Sequence, residues 1–251
     1  MTITGSKERI AKYIVPILQN CIDTNHINTF IDCCCGGANI IKHINCPNRI
    51  GIDNNPNLIA LLQEMQKDNF QFPEHMSRED WDRCKNGQES RLWYIGLCAI
   101  FCSYFTRGFN AGYCNDNHPN GRNYYEGRVK TAKKDLPLLK NIQFIENDFS
   151  IINNFTNVVI YCDPPYLNTK KYDSSKNFNY DMFWSTIRQT SMKNYVFISE
   201  QNAPSDFISI WNHNIQRSRI APTKLIATEH LFIYQNGLAM QYARENSLIN
   251  N

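Results

Sequence analysis

The feature that most constrains the fold is an alternation of short β-branched and aromatic runs with helix-like segments. The strand-like runs are TFID at 29–32, RIGID at 49–53, QFIE at 143–146, VVIYCD at 158–163, YVFIS at 195–199 and LFIY at 231–234. Strands that alternate with helices indicate a sheet covered by helices. A chain of 251 residues is long enough for one sizeable core with a smaller insertion. The sequence therefore predicts an α/β fold.

The alternation stops between about residues 70 and 140, which predicts an insertion. The apolar segment LWYIGLCAIFC, from Leu92, is well short of the ~20 residues that a membrane span requires, so it predicts a buried helix and no membrane association. The polar stretch at 115–134 contains turn formers, with arginines and lysines interleaved with tyrosines. We assign residues 1–70 and 140–251 to the main domain and residues 71–139 to an inserted substrate-recognition region.

Charge and cysteine content restrict the partners and the compartment. The net charge is only +3, so attraction to a polyanion must come from local clusters of basic residues. The start of the chain is charged, with Lys7 and Glu8, so we expect no secretory leader. We therefore expect the ten cysteines to be reduced thiols in a cytoplasmic protein. The adjacent cysteines at 33–35 suit packing at a strand end better than the spaced ligands of a zinc site.

A glycine turn follows the first predicted strand in TFIDCCCGGANI. Asp32 lies at the end of the predicted strand. Gly36 and Gly37 form the turn, and Asn39–His43 is predicted to continue as a helix. Glycines let a backbone approach a ligand closely, although an ordinary strand-to-helix turn can use them too. Asp53 ends the next strand about twenty residues on, where a carboxylate can accept hydrogen bonds from both hydroxyls of a ribose. The glycine turn and Asp53 together indicate a nucleoside-containing cofactor. The absence of a GxGxxG motif argues against NAD.

A second motif ends the strand VVIYC with Asp163, Pro164, Pro165 and Tyr166. Proline lacks an amide hydrogen and restricts the residue before it to extended geometry, so the chain leaves the strand sharply. The acid and the following carbonyls then point outward beside an aromatic ring. An ordinary strand-ending turn can also contain two prolines. The full motif nevertheless offers two acceptors and a stacking face, which together can hold an exocyclic amine and its ring.

These segments resemble the Dam-like, alpha-group (D12 class) N6-adenine DNA methyltransferases. The family's catalytic motif, Asp, Asn or Ser before Pro-Pro and an aromatic residue, is matched at 163–166, and its glycine-containing cofactor segment resembles 32–38. RGFNAGY at 107–113 and EHLFIYQN at 229–236 are also similar to segments of these enzymes. In the alpha group the cofactor segments come first, followed by an insertion and then by the catalytic motif, and this chain has the same order. The resemblance implies a Rossmann-like S-adenosylmethionine-dependent methyltransferase fold with an inserted target-recognition region that binds double-stranded DNA.

The resemblance also implies roles for individual residues. TGSKERIAKYI places Lys7 near the cofactor carboxylate, and ENDF at 146–149 places Asp148 and Phe149 beside the cofactor's adenine. The implied cofactor-binding residues are Lys7, Asp32, Cys34, Gly36, Gly37, Asp53, Asn54, Asp148, Phe149 and Asp163. Two positions depart from the family pattern, because Cys34 stands where many members have phenylalanine and Ala38 replaces a glycine.

DNA contact is implied for residues of the insertion and of the segment after the catalytic motif. The candidates are Arg107, Asn110, Arg122, Arg128, Lys130, Lys170 and Lys171. Basic side chains here can contact phosphates, which orient a protein on DNA without reading its sequence. The lysines after the motif can equally form a solvated surface. The residues that read bases, the recognition sequence and the oligomeric state stay open, as does a partner restriction enzyme.

The implied chemistry is direct methyl transfer to an amine. If the Asp163 carboxylate and the Pro164 carbonyl each accept one amino hydrogen, the nitrogen lone pair is aimed at the sulfonium methyl group. A base inside a duplex is inaccessible, so the adenine must flip out, and Tyr166 can stack on it. The same motif suits N4 of cytosine, an amino group of RNA or, with Asn in first place, a protein glutamine. A catalytically inactive DNA-binding relative and a thiol-rich structural protein are alternatives from other classes.

Overall fold

The computed structural model describes residues 5–114, 123–165, 178–216 and 226–249. Within these ranges the chain forms a seven-stranded sheet of order β3-β2-β1-β4-β5-β7-β6. The strands are β1 Thr29–Cys33, β2 Asn48–Asp53, β3 Ile142–Glu146, β4 Val159–Cys162, β5 Tyr195–Glu200, β6 Phe207–Gln216 and β7 Ile226–Tyr234. Neighbouring strands among β1 to β5 pair in parallel, whereas β7 runs antiparallel to both β5 and β6. The predicted α/β fold is confirmed.

Five of the six predicted strand runs lie within strands of the sheet, and the run at 158–163 extends one residue beyond β4 at each end. One strand, β6, was not predicted from the sequence. Strand β6 begins with the alternating residues FISIW but ends in polar residues, of which Asn212, His213 and Asn214 are exposed. Because β6 lies at the edge of the sheet, water reaches part of it, and the apolar pattern fades along its length. The last run, LFIY, is only the second half of β7, whose first half is also partly exposed.

Seven helices and four short 3₁₀ helices connect the strands in the described ranges. The helices are α1 Glu8–Thr24, α2 Pro56–Met65, α3 Arg78–Lys85, α4 Leu92–Phe101, α5 Tyr124–Leu139, α6 Tyr180–Ser191 and α7 Leu238–Glu245. The 3₁₀ helices span Ile41–His43, Tyr104–Thr106, Phe109–Ala111 and Phe149–Asn154. The helical continuation predicted at Asn39–His43 was wrong in extent, because only its last three residues are helical and the residues before them form turns.

The sheet has a buried core on each face. Successive strand residues point to opposite faces, so Phe30, Val159 and Phe197 join one core and their neighbours Ile31, Ile160 and Ile198 join the other. Helices α1, α2, α4 and α7 contribute to the first core, and α6 with the 3₁₀ helix Phe149–Asn154 contributes to the second. Both faces are therefore covered, and the ligand-accessible side of the sheet is the carboxyl edge of its strands.

Helices α3, α4 and α5 lie in the chain between α2 and β3, within the predicted insertion. Helix α4 confirms the buried helix predicted from Leu92, and residues such as Leu97 and Phe101 share the core of α1 and α2. Gly96 allows α4 to approach α2 closely, since a Cβ atom at this position would lie 2.3 Å from the carbonyl oxygen of Asn57. No helix in the described part of the chain has the length and apolarity to cross a membrane.

Candidate active site

Four acidic residues lie at or next to the carboxyl ends of neighbouring parallel strands. Asp32 is near the end of β1, Asp53 ends β2, Asp163 directly follows β4 and Glu200 ends β5. The amide of Asp163 donates to the carbonyl of Cys33 (3.2 Å), which extends the β1–β4 pairing to this residue. The structure thus brings the three predicted acids to one edge. Glu200 was not predicted as a site residue because the predicted fifth run ends at Ser199, although an acid directly after a strand was the available signal.

A buried lysine holds the acid of the catalytic motif. Lys7 Nζ lies 2.6 Å from Asp163 Oδ1 and 3.4 Å from Glu229 Oε1, and Lys7 is only 4% exposed. Burial lowers the pKa of Lys7, but the two carboxylates outweigh it, so the pKa lies above its ordinary value. Burial raises the pKa of Asp163 to about 6, against the opposing charge of Lys7. At neutral pH, Asp163 is therefore a carboxylate paired with a cation.

A hydrogen bond from α6 stabilises the turn after Asp163. The Tyr180 hydroxyl, in the first turn of α6, donates a hydrogen bond to the Pro165 carbonyl oxygen at 2.6 Å. The side chain of Asn179 caps this helix by accepting from the amide of Met182. Tyr180 was not a predicted site residue, and its distance of 15 residues from Pro165 gave no signal in the sequence. The predicted stacking residue Tyr166 lies outside the described residues.

Asp53 anchors the glycine-containing turn. Its Oδ2 accepts from the amide of Gly36 and its Oδ1 from the amide of Asn55, both at 3.0 Å. Cys34, Gly36 and Ala38 have φ angles of +61°, +48° and +56°, so the turn repeatedly uses the left-handed region. Burial raises the pKa of Asp53 while these two hydrogen bonds oppose the rise. The half-buried carboxylate thus faces the turn, with Asn54 exposed beside it.

Asp32 stabilises the segment that follows the same turn. It is 2% exposed, and its Oδ2 accepts a hydrogen bond from the amide of Ile41 at 3.2 Å. Burial raises the pKa of Asp32 well above its ordinary value. Asp32 therefore positions the segment that follows Gly37, and a direct contact with a cofactor is less accessible to it than to Asp53. Cys34 is half-buried, whereas Gly37 is buried.

The ENDF segment adjoins Asp53. The amide of Asn147 donates to the Asp53 carbonyl oxygen at 3.1 Å, which places Asp148 at the same edge of the sheet. Asp148 is exposed and caps the following 3₁₀ helix by accepting from the amide of Ser150 at 3.0 Å. Phe149 is 6% exposed, and its ring centroid lies 5.1 Å from that of Phe178. The predicted acceptor is therefore open to a ligand, while the predicted ring contact is mostly buried.

Two of the predicted DNA-binding residues lie in the loop after α4. Arg107 and Asn110 are exposed, and the Arg107 guanidinium carbon lies 5.5 Å from the centroid of the Phe105 ring. Phe105 is 67% exposed, which is high for a phenylalanine. The loop thus presents polar, cationic and aromatic groups together. The predicted residues Arg122, Lys170 and Lys171 lie outside the described residues.

The other two predicted DNA-binding residues differ in their surroundings, although both lie on α5. Arg128 Nη1 donates to the carbonyl oxygens of Phe101 at 2.8 Å and Ser103 at 2.9 Å. These hydrogen bonds satisfy carbonyls at the end of α4 and give Arg128 a structural role. Lys130 is exposed and faces solvent. Of the two, Lys130 is the side chain free to approach a phosphate.

Comparison with known proteins decides the family. A sequence profile described as D12 class N6 adenine-specific DNA methyltransferase matches residues 4–206. The chain belongs to this family. The predicted resemblance is confirmed, and the seven-stranded mixed sheet is consistent with the Rossmann-like methyltransferase fold of the D12 family.

The chain is also similar to a curated protein. The Type II methyltransferase M.FokI of Planomicrobium okeanokoites is 27% identical to it over 191 residues. This similarity covers 67% of the chain and 29% of the relative, so the chain spans less than a third of that protein's length.

Proposed function

We propose that this D12-family chain transfers a methyl group from S-adenosylmethionine to the N6 amino group of adenine in double-stranded DNA, at a specific sequence. The observation that carries the proposal is the buried pair of Lys7 and Asp163 at the carboxyl edge of the sheet. The pair keeps an ionised acceptor at the start of the catalytic motif, where an amino group needs one. The family match supports adenine in DNA over the N4-cytosine, RNA and inactive alternatives.

The residues at this edge fit S-adenosylmethionine, which supplies an electrophilic methyl group when bound. Asp53 offers a half-buried carboxylate to the ribose hydroxyls, and exposed Asn54 and Asp148 lie next to it. The turn through Gly36 and Gly37 has no bulky side chain and folds back onto Asp53 through the Gly36 amide. These donors and acceptors suit a nucleoside, and no thiolate or imidazole is required to hold it.

The chain's own residues explain how an unreactive amine could be methylated. The lone pair of an adenine amino group is delocalised into the ring, so the site must localise it. We infer that the Asp163 carboxylate and the Pro164 carbonyl accept the two amino hydrogens and orient the lone pair. Lys7 keeps Asp163 ionised, and Tyr180 holds the turn that carries the carbonyl. Asp163 need not be a strong base, because the amine becomes acidic only as the methyl group arrives.

The insertion at 71–139 is proposed to bind and read the DNA. Arg107, Asn110 and Lys130 are exposed in it, and Arg122 belongs to its polar stretch. Lys170 and Lys171 follow the catalytic motif and are proposed phosphate contacts, with Tyr166 stacking on the flipped base. A cytoplasmic location and a cognate restriction enzyme stay predictions.

The test is methylation of DNA that lacks N6-methyladenine. The purified protein is incubated with labelled S-adenosylmethionine and unmethylated genomic DNA, and modified adenines are then mapped by sequencing. We expect label in DNA at one recurring sequence. Asp163→Ala should abolish transfer, whereas Asp163→Asn should retain more activity because an amide oxygen still accepts one hydrogen bond. The absence of methylated adenine with folded wild-type protein would refute the function, and near-normal transfer by Asp163→Ala would refute the mechanism.

A further inference from the structure

A second buried carboxyl group lies beside the catalytic motif. Glu200 ends β5, which pairs in parallel with β4 so that Ile198 is opposite Cys162. Glu200 therefore lies at the same carboxyl edge of the sheet as Asp163 and Pro164, which directly follow β4, and the Pro164 carbonyl is proposed to hold the target amine. Glu200 is 6% exposed, so its carboxyl group is largely removed from water. A carboxyl group buried at this position therefore requires a polar partner.

The hydrogen bonding of Glu200 leaves one oxygen available. Its Oε1 accepts from the amide of Gln201 at 2.7 Å. Within the described ranges, no hydrogen bond to Oε2 is formed by another residue of the chain. A purely structural carboxylate in this position would be expected to pair with a cation, but the nearby Lys7 is engaged by Asp163 and Glu229.

The groups around Glu200 favour its neutral form. Burial raises the pKa of Glu200 to about 8; the Gln201 amide and Lys7 oppose this rise, while Asp163 and Glu229 add to it. Two other titratable groups are near. Tyr180 interacts electrostatically with Glu200 from α6, and His230 is its partner in the antiparallel pairing with β7. The His230 ring nitrogen Nδ1 is hydrogen-bonded to Ser209 Oγ at 2.8 Å. The raised pKa of Glu200 favours the protonated carboxyl group, which has a proton to donate.

The chemistry of adenine supplies a matching acceptor. Once Asp163 and Pro164 take both amino hydrogens, the adjacent ring nitrogen N1 still has a lone pair in the plane of the base. Enzymes that flip a base commonly read its Watson–Crick edge, which in adenine consists of N6 and N1. We propose that the Glu200 carboxyl group donates a hydrogen bond to N1 of the flipped adenine and so fixes the ring while Asp163 orients the amine.

This inference rests on the proposed function and extends it to a base-recognition residue. A neutral carboxyl group selects a base that has an unprotonated ring nitrogen beside its amino group, and it repels that nitrogen once ionised. The rate of methyl transfer should therefore fall as the pH rises through about 8, the pKa of Glu200. Glu200→Gln replaces the acid by an amide of the same shape that donates without titrating.

The test is single-turnover methylation of a duplex containing the sequence identified by mapping. Wild type and Glu200→Ala are compared on adenine and on 1-deazaadenine at the target, with 7-deazaadenine as the matched analogue that keeps N1. One lost hydrogen bond corresponds to about a threefold to tenfold slower rate. We expect the wild-type rate to be lower by this factor on 1-deazaadenine than on 7-deazaadenine. The rate of Glu200→Ala should already be lower by this factor on adenine, and it should not fall further on 1-deazaadenine.

The pH profile provides the second readout. Glu200→Gln should slow less than Glu200→Ala at neutral pH, and its rate should not decline between pH 7 and 9 as that of wild type does. Equal sensitivity of wild type and Glu200→Ala to 1-deazaadenine would overturn the assignment, as would an unchanged alkaline decline in Glu200→Gln. Circular dichroism and S-adenosylmethionine affinity of each variant verify the fold. A wild-type protein that methylates no adenine would instead reject the proposed function.

Discussion

The buried lysine of the site gives the sharpest prediction, because a single substitution should change both stability and the acid dependence of the rate. Lys7→Met keeps most of the length of the side chain and removes the charge that lies 2.6 Å from Asp163 and 3.4 Å from Glu229. Removing one partner of a buried ion pair costs about 3–5 kcal/mol, because the other charge is left uncompensated. Urea denaturation should therefore show the variant to be less stable by this order.

The pH dependence of the methyl-transfer rate should shift in a defined direction in Lys7→Met. Burial already raises the pKa of Asp163 to about 6, and Lys7 opposes that rise. An opposite charge at this distance lowers the pKa of an acid by about 1–3, so its removal should raise the pKa of Asp163 by a similar amount. If transfer requires the carboxylate, the rate of the wild type rises as the pH increases through about 6, and that rise should move to higher pH in Lys7→Met.

A matched control separates the two effects. Lys42 is also 4% exposed and pairs with two carboxylates, Asp135 at 2.8 Å and Glu8 at 2.6 Å, neither of which belongs to the catalytic motif. Lys42→Met should lose stability of the same order without moving the acid side of the pH–rate profile. The measurement is single-turnover methylation between pH 5 and 8 under conditions where each variant is folded. An unmoved profile in Lys7→Met would show that this lysine does not govern the ionisation of Asp163.

Three further predictions concern the cofactor, the helix contact and the DNA. Asp53→Ala should weaken S-adenosylmethionine binding by about 1.5–3 kcal/mol through loss of a charge-assisted contact, and unchanged calorimetric affinity would reject the ribose assignment. Gly96→Ala should destabilise the protein by about 1–3 kcal/mol through overpacking. Gly127→Ala on α5, where a Cβ has no neighbour within 4 Å, should stabilise it by up to about 1 kcal/mol; equal melting shifts would contradict the close contact. Lys130→Ala should flatten the salt dependence of DNA binding by about 0.9 in log–log slope, whereas Arg128→Ala should chiefly lower stability; the reverse pattern would place the DNA on Arg128.

The sheet edge could be predicted from the sequence because its signal is local. Asp53 and Asp163 each follow directly on an apolar run, and parallel strands bring their carboxyl ends together. Lys7 could be placed near this edge only through the family resemblance. Its pairing with Asp163 joins residues 156 apart in the chain, and no local pattern encodes such a contact. The pairing of Lys7 with Glu229 is equally long-range in the sequence, so no local pattern predicts it.

The roles of the basic residues could not be predicted, because charge alone does not distinguish a structural arginine from a DNA contact. Arg128 and Lys130 are two residues apart on α5, and the rotation of the helix turns one towards the end of α4 and the other towards solvent. Phe149 shows the same limit for aromatic residues. The motif placed its ring beside a cofactor, whereas packing against α6 buries most of it.

The close approach of α4 to α2 bears on how target specificity could be transferred between enzymes of this family. Helix α2 begins three residues after Asp53, and its Asn57 carbonyl lies against Gly96 with no space for a side chain. Exchanging residues 71–139 for the corresponding region of another member would replace one half of this helix interface and leave the other half in place. A graft that retains activity should therefore carry a glycine opposite Asn57 or include α2 in the exchanged segment.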